Sequence, residues 1–477
     1  MTVVGLLLVP LLGAAGLALN PGRAGRLVHG ATAGLTLGLA GAVVAAVVRT
    51  GPVTALDGLL RVDALSAWLV ALIGLVGALV AAEAPRQVPV PASGRFYPLL
   101  HLFVFTMLLA VTTDDVGLMW VAVEATTLAS VFLVNHERSR ASLEAAYKYV
   151  LICSVGVAIA FAGTILIYFA DIHSLGRPAH ALRWTALVRV GPELPVPVVQ
   201  LAFVFLLVGY GTKAGLAPMH TWLPDAHSEA PAPVSALMSG VLLSVGLYAI
   251  VRFKVVADLA AGPAFTRRLL LALGLGSVAV AAAFVWSPRS YKRMLAYSSI
   301  EHAGIACLGL GFGGPWGLGG ALLHVANHAL AKSVLFLLSG RIRAAYGSPA
   351  IGAVSGLSAA MPLTGRSFLL AMLALLGLPP FGLFVSEFLI FGAGFRGGHA
   401  AVAAAGLGFL LVAFAGLLRA THRMLYGAPP AGGVPEPTGW AAAWPVAAAL
   451  GLLVATGLAW PPGLAAALES VAGILSP

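Results

Sequence analysis

Long apolar runs dominate the chain, and short polar segments separate them. About 20 apolar residues in a helix are enough to cross a hydrocarbon layer of ~30 Å. Because the runs are continuous and do not alternate, a transmembrane β-barrel is excluded and helices are predicted. About fourteen spans are expected, near residues 3–19, 27–48, 63–82, 97–113, 115–134, 146–170, 197–217, 232–253, 268–287, 295–312, 316–338, 367–393, 401–418 and 440–460.

The predicted fold is therefore an all-α polytopic membrane protein. No segment between the spans is long enough for a soluble domain, so residues 1–477 form a single membrane domain. Its expected parts are N-terminal helices 1–3 in 1–96, a first repeat in 97–253, a second repeat in 268–425 and a C-terminal helix in 440–477.

Two spans combine a helix breaker with an ionisable residue. Lys213 precedes Pro218 in the seventh span, and Pro379 and Pro380 precede Glu387 in the twelfth. These positions fit two inverted five-helix repeats, spans 4–8 and 9–13, with a broken helix in each, as in many transporters.

Composition and charge support a membrane protein. Hydrophobic residues make up 60% of the chain and charged ones 9%, whereas soluble domains have roughly 25% charged residues. The net charge of +10 is scattered through loops, which argues against nucleic-acid binding. Alternate loops hold 15 and 10 of the 27 Lys and Arg residues, with two more inside spans. The positive-inside rule then predicts a multi-pass protein of the cell membrane with both termini outside.

The two cysteines, Cys153 and Cys307, both lie in apolar runs. They cannot supply the four thiolates of an iron–sulfur cluster. We expect no cofactor in this chain.

Several ionisable residues lie inside the predicted spans, where each costs roughly 2.5–3.5 kcal/mol. Such groups usually pair with one another or line a hydrated path, although a single one can simply satisfy a neighbouring helix. Glu301 could instead lie near a membrane surface. The types present can carry protons, histidine most readily. The predicted proton pathway comprises Glu124, Lys213, His302, His324, His328, Lys332 and Glu387.

Spacing adds detail to this pathway. His324, His328 and Lys332 recur every four residues and form one stripe on a helix. A Glu124 that approaches and leaves Lys213 would make the lysine hold and release its proton.

His324 and His328 also have the spacing of zinc ligands, with Glu387 as a conceivable third. The glutamate of an HExxH site is missing, however, because Val325 follows His324, so we predict no metal site.

Four segments carry a family resemblance: KAGLAPMHTWLPDAHSEAPAPVSALMSGVLL, KRMLAYSSIEHAGI, NHALAKSVLFLLSG and GLPPFGLFVSEF. They resemble the antiporter-like proton-channel subunits of respiratory complex I, multisubunit cation/proton antiporters and energy-converting hydrogenases, over roughly residues 60–425. WVAVEATTLAS and SLEAAYKYVLICSVGVAIAF are most similar to the hydrogenase-4 component F branch.

The resemblance implies roles for individual residues. Glu124 matches the fifth-helix glutamate, Lys213 its seventh-helix lysine partner, and Glu387 the terminal site of the twelfth helix. His302, His324 and His328 match the polar axis. One position departs from the pattern, because Ser244 stands where many complex I relatives carry a lysine.

The resemblance also implies a function, that of a non-catalytic, proton-translocating subunit of a hydrogenase-4 or NADH dehydrogenase-like oxidoreductase complex. Its expected partners are other membrane subunits, the lipid bilayer and a peripheral redox arm that holds iron–sulfur and nickel–iron centres or flavin. Protons are the expected ion, with Na⁺ as an alternative. The chain could instead serve a cation/proton antiporter or an inorganic-carbon uptake complex, whereas the many buried charges contradict a mere scaffold.

Overall fold

The computed structural model describes residues 1–19, 23–89, 94–175, 182–430, 434–459 and 462–475. The predicted terminal parts 1–96 and 440–477 both include residues outside these ranges, and the division of the chain into parts stays a prediction. Within the described ranges the chain forms twenty α-helices and one antiparallel hairpin of β1 (Val53–Ala55) and β2 (Leu60–Val62).

The helices of the N-terminal half are α1 (Thr2–Leu19), α2 (Arg23–Thr50), α3 (Ala64–Gln87), α4 (Phe96–Thr112), α5 (Val116–Val134), α6 (Arg140–Leu175), α7 (Trp184–Val190), α8 (Val196–Ala214), α9 (Trp222–Glu229), α10 (Ala232–Leu237) and α11 (Leu243–Ala261). Those of the C-terminal half are α12 (Pro263–Val285), α13 (Tyr291–Phe312), α14 (Gly314–Tyr346), α15 (Leu357–Ala360), α16 (Pro362–Leu375), α17 (Gly382–Arg396), α18 (Ala400–Leu425), α19 (Trp440–Leu458) and α20 (Pro462–Leu475).

Among the described residues, 11 helices are long and apolar enough to cross a membrane. Helices α4 and α16 are apolar but shorter. Helix α13 coincides with the predicted run 295–312 yet is not one of the 11, since Lys292, Glu301 and His302 make it more polar. The chain is thus a multi-pass membrane protein, while the predicted count of about fourteen spans and the inverted repeats stay predictions.

Helix α14 and the helix that contains α10 and α11 lie at the centre of the bundle. Over an 18-residue apolar stretch of each helix, 94% of the residues in α14 and 100% of those in the continuous helix Ala232–Ala261 are buried. The corresponding share is 28% in α18 and in α19. The central helices therefore face protein on all sides, where ionisable groups can find partners that lipid does not offer.

Both predicted helix breaks are non-helical. Helix α8 ends at Ala214, and Gly215 takes the left-handed conformation with φ +73°. The indole of Trp222 donates to the carbonyl of Thr212 at 2.9 Å, so a carbonyl released by the break is satisfied. Helix α16 ends at Leu375, and α17 begins only at Gly382.

The helix that contains α10 and α11 widens into a π-helical turn at Met238–Leu242. Such turns insert extra backbone and often occur at functional sites. Gly240 lies in this turn, and a Cβ there would come within 2.7 Å of Ser333 Oγ on α14. The glycine thus lets α14 approach the turn closely.

A buried ion pair fixes one end of the bundle. Arg252 on α11 donates to both carboxylate oxygens of Asp63, the N-cap of α3, at 2.7 and 2.6 Å. Its guanidinium lies 4.3 Å from the ring centre of Trp184 on α7 and 4.9 Å from that of Tyr248. These contacts hold the ends of α3, α7 and α11 together.

Candidate functional site: two buried clusters of ionisable side chains

The first group, which we term the lysine cluster, comprises Glu124, Tyr149 and Lys213. Lys213 is 0% exposed, and its Nζ donates to the Tyr149 hydroxyl at 3.2 Å. Ser130 Oγ lies 2.8 Å from that hydroxyl and gives its own proton to the carbonyl of Thr126 at 2.6 Å. Tyr149 must therefore donate to Ser130 and accept from Lys213. The hydrogen bonds run in one direction from the lysine to the backbone.

Glu124 occupies the other part of the lysine cluster. Its carboxylate accepts hydrogen bonds from Ser154 Oγ at 2.6 Å and Thr127 Oγ1 at 3.3 Å. It forms no ion pair with Lys213, so the two partners implied by the resemblance are apart in this structure. Glu124 is half-buried beside exposed Val121 and Leu128, which places it near the outer face of α5.

The second group, which we term the axis cluster, comprises Glu301, His302, His324, His328, Lys332 and Glu387 from α13, α14 and α17. His302 Nδ1 lies 3.0 Å from His324 Nε2, and His324 Nδ1 lies 3.0 Å from Ser386 Oγ. Ser386 donates its one proton to the carbonyl of Leu383 at 2.8 Å, so it must accept from His324. Neutral His324 then carries its hydrogen on Nδ1 and accepts from His302 at Nε2.

The stripe on α14 faces α13, as its spacing allows. The His328 ring centre lies 5.1 Å from that of His302, and His328 Nε2 has no hydrogen-bond partner among the described residues. Lys332 is 0% exposed and donates to the carbonyl of Leu295 at 2.5 Å and to Ser298 Oγ. The lysine is thus held by neutral oxygens on α13.

Two carboxylates complete the axis cluster. Glu301 is 1% exposed, so its side chain lies inside the bundle. One oxygen each of Glu301 and Glu387 is buried without a partner in the described structure. Such an atom is costly unless the group is protonated or reaches water. Glu387 also borders an open apolar groove of about 480 Å³ between α17 and α18.

The axis cluster contains donors that suit a transition metal. One donor atom each of His302, His324 and Glu387 lies within 4.8 Å of the other two. This set replaces the predicted alternative, in which His328 accompanies His324. Imidazole and carboxylate are ligands that zinc accepts. The sequence-based expectation of no metal site stays a prediction.

Aromatic side chains lie between the two clusters. Ring centres are 4.8 Å apart for Tyr149 and Trp222, 6.1 Å for Trp222 and His227, and 5.5 Å for His227 and Phe336. His227 is 0% exposed, and neither ring nitrogen has a partner among the described residues. Ser244 is also buried, and its hydroxyl donates to the carbonyl of Gly240 at 3.4 Å.

Several site residues escaped the sequence-based reasoning. Tyr149 appeared to begin a span near the surface, and His227 followed a proline in an expected loop. Serines such as Ser386 are common in membrane helices, so their type alone carries little information. Only the packing of α5 on α6 and of α14 on α17 makes them partners.

Residues 113–413 match the membrane family described as NADH:quinone oxidoreductase/Mrp antiporter. The chain belongs to this family. Over 345 residues it is 41% identical to the hydrogenase-4 component F homolog of Methylacidiphilum infernorum (isolate V4). This match covers 71% of both chains. Over 338 residues it is 35% identical to NADH-quinone oxidoreductase subunit N of Desulforudis audaxviator (strain MP104C). This match covers 70% of this chain and 66% of the relative.

Solved structures share the fold over the whole chain. A chain of the Mrp complex from Dietzia sp. DQ12-45-1b superposes with a TM-score of 0.89 at 23% identity, covering 100% of this chain and 97% of that one. A chain of respiratory complex I from Thermus thermophilus gives 0.83 at 26% identity and covers 100% of both. The predicted resemblance is confirmed, and with it the prediction of an antiporter-like membrane subunit of a multisubunit complex.

Proposed function

We propose that this chain translocates protons as a non-catalytic membrane subunit of a redox-driven complex of the hydrogenase-4 or NADH:quinone oxidoreductase type. The observation that carries the proposal is the directed hydrogen-bond chain from His302 through His324 to Ser386, buried beside Glu387. The similarity to a hydrogenase-4 component F homolog supports the choice of complex.

The hydrogen-bond direction specifies a transfer. In neutral His302 the hydrogen is on Nδ1, so Nε2 is the atom that takes up a proton. His302 then passes its Nδ1 proton to His324 Nε2, which leaves neutral His302 with its hydrogen on Nε2 and His324 with hydrogens on both nitrogens. His324 must pass a proton on, and His302 must regain its Nδ1 hydrogen, before the next transfer. His324 and Glu387 offer donor atoms within 4.8 Å, a gap that one water bridges, so Glu387 is the exit of the cluster.

The driving force must come from outside this chain. Moving one proton against 100 mV requires about 2.3 kcal/mol. Partner subunits in a peripheral arm, with iron–sulfur and nickel–iron centres or flavin, would supply it. In this proposal the complex resides in the cell membrane with both termini of this chain outside, and Na⁺ is the alternative ion.

The test is proton uptake by the purified complex in vesicles, driven by its own redox reaction and followed with a pH-sensitive dye. Lys213→Ala and Glu124→Ala are each expected to abolish coupled uptake, since each removes one end of the lysine cluster. Glu144→Ala is the matched control, because this carboxylate is exposed and pairs only with Lys148 among the described residues. Uptake at the wild-type rate in Lys213→Ala or Glu124→Ala would remove these residues from the pathway.

The composition of the complex separates the alternatives. Iron–sulfur signals and a nickel–iron subunit that purify with this chain support the proposed function. Small membrane subunits without metal would instead favour a cation/proton antiporter, and a carbon-binding partner would favour inorganic-carbon uptake.

A further inference from the structure

A second pair of histidines lies outside both clusters. His29 on α2 and His101 on α4 are 2% and 4% exposed, and their Nδ1 and Nε2 atoms lie 2.8 Å apart. Both residues are near helix ends that the charge pattern places in the cytoplasm, with His101 roughly 8 Å along α4 from its start. The pair thus lies towards the side from which a pump takes up protons.

A backbone carbonyl orients the pair. His29 Nε2 lies 3.0 Å from the carbonyl of Ala81, which can only accept, so the His29 hydrogen is on Nε2. Neutral His29 therefore accepts at Nδ1 from His101 Nε2–H. His101 Nδ1 keeps a lone pair and has no hydrogen-bond partner among the described residues. It is the atom of the pair at which a proton can bind.

His101 borders a small cavity of about 20 Å³ between α2, α3, α4 and α10. This volume is enough for one water. Thr36 also lines the cavity and offers a second polar partner, while Gly74, Gly77 and Ala78 leave the space open because their side chains are small.

The far wall of the cavity lies next to the π-helical turn. It includes Leu237, the residue directly before the π-helical turn. In that turn Ser239 Oγ lies 2.8 Å from Ser299 Oγ. Ser299 and Lys332 both donate to the carbonyl of Leu295, at 3.0 and 2.5 Å. Ser299, which is bonded to Ser239 in the turn, thus shares its carbonyl acceptor with Lys332.

We infer that His101, oriented by His29, is a proton-accepting site that feeds the axis cluster from the cytoplasmic side through this cavity. A hydronium ion in the cavity gives its proton to His101 Nδ1, so an N–H bond forms, an O–H bond breaks and water remains. His101 Nδ1–H later gives the proton back to the cavity water, which passes it towards the π-helical turn, so His101 holds the proton between its arrival and its onward transfer. His29 is a positioning residue. The inference rests on the proposed function and adds an input site to it.

The test uses two substitutions of His101 in the whole complex. In His101→Gln the amide can still donate a hydrogen bond to His29 but cannot take up a proton. In His101→Leu the side chain can do neither. Coupled proton uptake is expected to fall at least tenfold in both, while His101→Gln keeps the thermal stability of the wild type. His422→Gln, an exposed histidine, is the matched control and should stay within twofold.

The cavity is tested without changing a titratable group. A Cβ at Gly77 would meet only Val104, at 3.9 Å, so Gly77→Ala fits and should leave uptake unchanged. Gly77→Val extends into the cavity and is expected to lower uptake about tenfold. If both His101 variants fail to fold, the two Gly77 variants still show whether proton uptake needs the open cavity.

Wild-type uptake in His101→Gln, or equal uptake in the two Gly77 variants, would show that the pair only joins α2 to α4. In that case Lys213→Ala would still abolish uptake, so the input site fails while the proposed function stands. Wild-type complex that moves no protons would overturn the proposed function itself.

Discussion

Backbone carbonyls set the direction of hydrogen bonding at the residue scale. The carbonyls of Thr126, Leu383 and Ala81 accept from Ser130, Ser386 and His29, respectively. Because a carbonyl cannot donate, each fixes where the neighbouring hydrogens lie. Hydrogen bonds that all point one way let a first proton pass without prior reorientation, and the members must then turn back before the next proton passes.

Ser386 is the residue at which this direction can be tested. Ser386→Ala removes the acceptor of His324 Nδ1–H, and a hydrogen bond worth about 0.5–1.5 kcal/mol corresponds to a roughly two- to tenfold lower rate of coupled uptake. Ser386→Thr keeps the hydroxyl and is expected to retain the wild-type rate. Equal rates for the two variants in the vesicle assay would mean that His324 needs no fixed tautomer.

Residue type determines how much of the site could be predicted. Glu124, Lys213 and His302 stand out because a charge in an apolar run is rare and costly. Tyr149 and Ser386 do not, since hydroxyl groups are tolerated in membrane helices and their partners lie on other helices. The buried position of Glu301 follows from packing on every side of α13, which no local pattern reveals.

At the scale of elements, the break between α16 and α17 positions the side chain of Glu387. Gly377 in the break has φ +64°, and a Cβ there would lie 2.1 Å from Glu387 Oε2. The glycine is therefore needed both for its backbone conformation and for the space that the carboxylate fills. Pro379, Pro380 and Glu387 signal this break in the sequence, whereas the π-helical turn at Met238–Leu242 has no such signal.

Gly377→Ala is expected to displace the Glu387 carboxylate and lower coupled uptake at least tenfold. The matched control is Gly398→Ala, which has a similar φ of +77° but open space around its Cβ position. Both substitutions carry a backbone penalty of about 1 kcal/mol. Thermal unfolding should shift by at least this amount in both variants, and only Gly377→Ala should impair uptake. Equal uptake in the two variants would contradict a role for the Glu387 position.

For the whole molecule, the predicted sidedness is open to a direct measurement. Both native cysteines are buried, so an impermeant maleimide has no ready target in the wild-type chain. Thr54 and Ala141 are exposed and lie on opposite predicted sides. Thr54→Cys should be labelled in intact cells, and Ala141→Cys only after permeabilisation. The reverse pattern would place both termini in the cytoplasm.

The bundle as a whole was predictable in its type but not in its arrangement. Apolar runs of membrane length predict helices because an unpaired backbone is not tolerated in lipid. They do not indicate which helices become central, since α14 and α18 are both apolar yet differ greatly in burial. Helix α13 shows the opposite problem, because the residues needed at the centre weaken its hydropathy signal.

The groove beside Glu387 makes one carboxylate reachable from the hydrocarbon phase. Its wall includes Phe388 and Leu411, which are 61% and 68% exposed on the outside of the bundle. A carbodiimide that dissolves in lipid can therefore diffuse to this acid along the membrane plane, whereas a water-soluble carbodiimide has no such route. Apolar small molecules that fill the groove would block Glu387, the proposed exit of the axis cluster, without entering from either aqueous side.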